Sequence, residues 1–399
     1  MAGEWRPITL GDVLSFANGK TSPERSAGLR NPVYGSNGII GFAGDTNAPE
    51  NTIVIGRVGS YCGSLYLSKE RCWVTDNAIR ARALDDNDAR FLFYLLSTLD
   101  LNHWRAGSGQ PLLNQTILSQ IPASVPLPDE QRAIAHILGT LDDKIELNRR
   151  MNETLEALAR AIFKSWFVDF DPVRAKAEGR EPTGMDAATA ALFPDSFQES
   201  PLGKIPKGWG VRRLGEVTGV NKRTISAGYP HRTIEYIEIS SVVTGKLSGS
   251  TKYELNEAPS RAKRLVAHGD TIWSCVRPNR KSYLFIYNPT PNLVVSTGFA
   301  VLTPKQVSRT YLFEWVTTED FVEYLSYNAD GSAYPAVRPE RFSEAEILLP
   351  PLALLDRFEQ VAGPMRDKIA HNDRESRTLA AIRDALLPKL ISGEIRVKG

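Results

Sequence analysis

The chain has 399 residues, with 48 Lys and Arg against 46 Asp and Glu and a formal net charge of +2. That size predicts two or three domains, each able to bury its own core, and 42% hydrophobic with 24% charged residues is ordinary for a globular protein. The near-neutral balance argues against a small, uniformly basic nucleic-acid module, the apolar runs are too short for a membrane span, and three cysteines without CxxC spacing argue against a disulfide framework or a zinc finger.

In chain order, residues 1–127 read as a mixed, strand-rich domain. MAGEWRPITL lacks the shape of a secretory signal, and the cysteines suit a reducing, cytoplasmic setting. TIVIGRVGSYCGSLYL (52–67) alternates β-branched and aromatic residues with glycines, as in a hairpin or bent strands, and residues 72–84 read as a further strand. Residues 89–107 predict a helix ending near Gly107. From 128 to 172 apolar residues recur at heptad spacing: Ile134, Leu138, Leu141, Ile145, Leu155, Ala159, Ile162 and Trp166. That predicts one long helix with a narrow seam, closed by Pro172, and a helix with such a stripe needs a partner. Residues 173–208, rich in Pro, Gly, Ala and Ser, predict a linker running along the surface. Residues 209–350 read as a second mixed domain, with strands and a helix at 310–327. Residues 351–399 carry the second heptad run.

The chain repeats itself. EWRPITLGDV (4–13) aligns with GWGVRRLGEV (208–217), FLFYLLST (91–98) with YLFEWVTT (311–318), GSGQPLLN (107–114) with GSAYPAVR (331–338), and DKIELN (143–148) with DKIAHN (367–372). Each half is therefore a variable domain followed by a long helix, which predicts an α+β fold. Asn148 and Asn372 share one seam position, where a polar residue fixes register at some cost in stability.

Enzyme signatures nearly form and then fail. NGKT (18–21) has the end of a phosphate loop, but Leu14 stands where its first glycine belongs. NPTP (288–291) lacks the second proline and the aromatic of an amino-methyltransferase tetrapeptide. Asp142, Asp143 and Lys144 imitate a nuclease carboxylate–lysine set but fall on the seam helix. The five histidines are scattered. No nucleophile, metal or cofactor site assembles from these residues.

EQRAIAHILGTLDDKIELNRR, the ending FKSWFVDFDPV, the entry PLGKIPKGW and the degenerate second helix together resemble the specificity subunit of type I restriction–modification systems. The second helix departs from the first: Pro388 replaces Lys164 and no WFVDFDP follows. The resemblance implies a non-catalytic subunit with no cofactor of its own. It implies two target-recognition domains, each reading half of a split DNA site, and two long helices forming an antiparallel coiled coil. Two modification subunits and two restriction subunits would be its protein partners, double-stranded DNA its ligand, and no membrane is involved. A stand-alone DNA methyltransferase and a coiled-coil adaptor are the competing readings, the first distinguished by tight S-adenosylmethionine binding and the second by failure to shift duplex DNA.

Under this resemblance the two GS-x-x-P turns are expected at DNA, because glycine-rich turns let backbone amides approach phosphate while polar side chains reach bases. The expected DNA-binding residues are Gln110, Asn114, Tyr334 and Arg338, with Arg57, Lys222, Arg223, Arg277, Arg280 and Lys281 on neighbouring loops. Trp166, Phe167 and Phe170 are expected either at a partner interface or closing the coil against a recognition domain.

Overall fold

The computed structural model describes residues 5–105, 112–331 and 334–397. The chain divides into two compact units, residues 1–148 with 374–399, and residues 149–373. The boundary cuts both heptad helices, Pro128–Phe167 and Leu352–Ile391, each 40 residues long.

In the first unit a four-stranded sheet runs in the order Leu14–Asn18, Ala78–Ala83, Thr52–Gly56, Leu65–Ser68. A second sheet orders Gly38–Ala43, Asn31–Gly35 and Trp73–Val74, the last pair parallel. A ribbon of Arg6–Thr9 and Pro122–Val125 joins the start of the domain to its exit. The second unit repeats the plan. Thr218–Val220, Phe299–Pro304, Thr271–Ser274 and Tyr283–Phe285 form the four-stranded sheet, and Gly210–Arg213 pairs with Glu346–Leu349 as the ribbon. Its other sheet keeps the parallel pair, Thr233–Ile237 with Leu293–Ser296, and gains an outer strand, Ala262–Leu265.

The repeated Leu-Gly pair has a structural cause in both halves. Leu10 N–H donates to the Ile121 carbonyl at 2.9 Å and Leu214 N–H to Ala345 at 2.7 Å. The glycine that follows lies against a serine on a short helix: a Cβ on Gly11 would stand 3.0 Å from Ser119 Cβ, and one on Gly215 would stand 2.9 Å from Ser343 Cβ. No larger residue fits so close an approach without displacing that helix.

Within each unit the two long helices run antiparallel. In the first, Asp142 meets Arg383, Lys144 meets Glu375, and Ile134 and Leu138 share a core with Leu390 and Ile391. The helix thus continues past Pro388 to Ile391, held by its buried final turn. In the second, Phe163, Trp166 and Phe167 close on Phe358, while Asn152 donates to Asp373 at 2.7 Å. The seam positions Asn148 and Asn372 are fully buried. Asn148 donates to Glu375 at 2.7 Å, and Asn372 donates to Asn152 at 2.8 Å. A slip of one turn would leave these amides facing apolar side chains, so they hold the register. Gly139, in the interior of the first helix, makes room for Arg90, whose guanidinium donates to its carbonyl and would lie 2.5 Å from a Cβ there.

Four expectations need correction. The first long helix ends at Phe167, five residues before Pro172, and Phe170 turns the chain in a left-handed conformation. The helix expected over 89–107 stops at Thr98, and that over 310–327 is two helices, Arg309–Val316 and Glu319–Tyr327, because Thr318 caps the second through Phe321 N–H. The stretch 173–208 is ordered as two short helices and a hairpin, and Val173, Phe193 and Ile205 enter the core of the second unit. Its apolar anchors are too widely spaced to give a periodic signal.

Candidate nucleic-acid interface

In the second unit, Cys275 follows the central strand Thr271–Ser274, and the chain bends at Arg277 into a short turn, Pro278–Arg280. The turn carrying Tyr334 returns alongside it. Arg277 N–H donates to the Pro335 carbonyl and Val337 N–H to the Cys275 carbonyl, both at 2.7 Å. Two loops nearly sixty residues apart in sequence are thereby zipped together. Between them and the strand ends lies an open cleft of about 640 Å³, lined by Arg261, Arg277, Arg280, Tyr334 and Glu238 with serines 274, 282 and 296. The Arg277 guanidinium lies over the Tyr334 ring, 4.4 Å from its centroid, although Tyr334 is otherwise 71% exposed. Arg277 adopts φ 51°, a left-handed backbone that a branched or long side chain rarely takes. Burial pushes the neighbouring Cys275 thiol up to about 11, so it is an inert packing group rather than a nucleophile.

Arg277, Arg280 and Tyr334 are thus gathered at one place. Other expected DNA contacts are committed elsewhere. Arg223 pairs with the buried Asp270 at 2.6 Å, and Lys281 is bound to Glu319 at 2.6 Å. Burial raises Asp270 above the usual carboxylate range, against the pull of Ala267 N–H and Arg223. Arg338 is exposed and pairs with Asp330 at 3.2 Å, and Lys222 is exposed on its loop. In the first unit Asn114 caps the helix Gln115–Gln120, its side chain accepting from Ile117 N–H at 2.8 Å. Arg57 is half-buried, and its Nε has no partner among the described residues. Gln110 lies outside the described residues. Asn114, Arg223 and Lys281 each already have a partner within the fold, so a DNA contact from any of them would compete with that partner.

Trp166, Phe167 and Phe170 are 6%, 1% and 9% exposed. They stack with Phe193, Trp209, Tyr311 and Phe358 inside the second unit. The partner-interface expectation is corrected: their surface is covered by this chain, and they close the coil against its own domain.

Sequence reasoning missed Glu238, Arg261 and the three serines. Glu238 follows the strand Thr233–Ile237 and Arg261 precedes the strand Ala262–Leu265, which has no counterpart in the first half. Among the described residues no group of three His, Cys, Asp or Glu could hold a metal ion, and no helix is long and apolar enough to cross a membrane.

With this geometry in hand, the comparisons with known proteins are specific. Residues 2–157 match the type I restriction modification DNA specificity domain. A type I restriction enzyme specificity subunit of Methanocaldococcus jannaschii is 26% identical, over 78% of this chain and 70% of its own. One from Haemophilus influenzae is also 26% identical, over 76% of this chain and 77% of its own. The S subunit of a type I restriction–modification system from M. genitalium superposes with a TM-score of 0.67 at 16% identity, covering 97% of this chain and 96% of its own. Residues 2–157 carry that DNA specificity domain, and most of the chain is similar to type I restriction enzyme specificity subunits. The domain match stops at residue 157, and the second half is related to the first by its repeated strand order, ribbon and Leu-Gly contact.

Proposed function

We propose that this chain is the specificity subunit, the non-catalytic DNA reader, of a type I restriction–modification complex. Residues 1–127 and 209–350 would each read one half of a bipartite, asymmetric site in double-stranded DNA. Residues 128–172 and 351–399 supply the paired spacer helices, and 173–208 the link between halves. The observation that carries this reading is the cationic cleft of the second unit, where Arg277, Arg280 and Arg261 converge beside Tyr334. Arginine is the side chain best suited to paired acceptors on base edges and phosphates.

Two modification subunits dock on the spacer helices and two restriction subunits join them. Because Trp166, Phe167 and Phe170 are buried, docking is assigned to apolar residues that the helices leave exposed, Leu147 and Ile382 in the first unit and, separately, Leu158 in the second. The test is to co-express the chain with its modification subunits and sequence the methylated DNA by a single-molecule method. A motif of two short blocks separated by a fixed unspecified gap is expected. One contiguous motif, or methylation indifferent to removal of this chain, would overturn the reading.

A further inference from the structure

We infer that Arg277 reads a guanine in the half-site of the second recognition domain, and that Tyr334 acts as a positioning residue that holds its guanidinium for that contact. The inference rests on the DNA-reading function above and adds the base and the residues to it. Three observations converge on it.

The first is backbone conformation. The strand ladders make Arg57 and Cys275 structural equivalents. Gly56 pairs with Ala78 and Ser274 with Phe299, and the next N–H donates to Asn77 in one half and Gly298 in the other. Two residues on, both chains turn left-handed, at Gly59 with φ 70° and at Arg277 with φ 51°. The first domain uses glycine, which adopts this region freely; the second places an arginine there against its preference. Strain retained at one residue of a cleft marks a side chain whose position matters.

The second is the stack on Tyr334. A ring 4.4 Å from the guanidinium carbon occupies one face of the group and restricts where its N–H donors point. Two parallel N–H groups held in one plane match the O6 and N7 acceptors of guanine, the commonest specific arginine contact in the major groove. The third is charge. Glu238 lines the same cleft, and a carboxylate among the arginines makes the cleft less attractive to a phosphate than an all-cationic one would be. A contact made only to the DNA backbone is therefore disfavoured here.

The experiment compares methylation motifs of the full complex carrying the unaltered chain, Arg277→Lys, Arg277→Gly, Tyr334→Phe and Tyr334→Ala. Arg277→Lys and Arg277→Gly should relax one position, a guanine in one block, with preference there falling roughly 5- to 150-fold. Tyr334→Phe, which keeps the ring, should leave the motif intact, whereas Tyr334→Ala should relax that same position. Arg277→Gly should melt no lower than the unaltered chain, since glycine suits the backbone, so lost reading cannot be ascribed to misfolding. Uniform weakening on all sequences, with a flatter salt dependence, would mean a phosphate contact and overturn the inference, as would relaxation at a base other than guanine or no change at all. A bipartite motif indifferent to Arg277 defeats this inference alone; absence of any bipartite motif with the unaltered chain defeats the functional reading beneath it.

Discussion

The two halves share a plan, yet each fastens its short helix to the long one with different chemistry. Tyr94 and Glu314 occupy the same place in the aligned helices, and Asp142 and Arg366 the same place on the spacers. In the first half the Tyr94 hydroxyl donates to Asp142, which also accepts from Arg383 at 2.7 Å at a partly exposed site. Burial, and then the Asp142 carboxylate, raise the Tyr94 hydroxyl well above its ordinary range, so it stays a proton donor. In the second half Glu314 and Arg366 form an ion pair only 1% and 5% exposed, with the guanidinium 4.3 Å from the centre of the Phe313 ring. Beside this exchange one contact is kept: Asp143 pairs with Arg90 at 2.9 Å and Asp367 with Arg309 at 3.0 Å. A duplicated fold therefore keeps its geometry while neighbouring contacts diverge, and the cost of losing a contact should differ between halves.

The largest difference lies at the buried pair. Arg366→Ala leaves Glu314 charged and unpaired in the interior, and should lower the unfolding free energy of the second unit by about 3–5 kcal/mol. The matching change Tyr94→Phe removes one hydrogen bond to a partly exposed carboxylate and should cost about 1 kcal/mol in the first. Denaturant unfolding of the two variants checks the contrast; equal losses would break it.

A smaller effect comes from exchanging the left-handed residues. Gly59→Arg places a side chain into open space at φ 70° and should cost the first unit about 1 kcal/mol through backbone strain alone. Thermal melting of that variant measures it, and an unchanged melting temperature would remove backbone strain as the reason Arg277 is unusual.

The smallest effect is one of pH. Arg90 holds the Asp143 carboxyl well below its ordinary value of 3.8, against the opposing effect of burial and with a further pull from Lys69. A carboxyl depressed by folding contributes stability that is present above 3.8 and lost as pH falls through its folded value. With the Asp143 side chain 47% exposed, solvent screening keeps the contribution to a fraction of a kilocalorie. Melting temperature should decline below about pH 4, and less steeply in Asp143→Asn. An identical decline in both would show that other carboxylates govern acid stability.

Much of this was legible in the sequence because it is local or repeated. Heptad spacing found both long helices, Asn148 and Asn372 stood out as polar seam residues, and shared Leu-Gly pairs located both domain entries. What could not be read was which surfaces meet. Trp166, Phe167 and Phe170 look like interface anchors until Phe193, Trp209 and Phe358 are seen to cover them, and those residues come from distant segments. Arg223 and Arg277 look alike as loop arginines. Only the fold reveals that Arg223 is bound to a buried carboxylate while Arg277 stands in a cleft against Tyr334. Asn114 was chosen as a reader for its polarity, the same property that makes it a helix cap.

The division of the spacer helices also bears on the order in which the protein acquires its structure. Residues 149–373 form one unbroken stretch, whereas the first unit needs residues 374–399 to cover Ile134 and Leu138 with Leu390 and Ile391. During synthesis the middle of the chain is complete while the beginning still waits for its seam partner. The nascent first domain consequently presents an apolar stripe throughout translation of the second. Since domains fold as units as they emerge, the second domain should become protease-resistant first, although the ribosome makes it later.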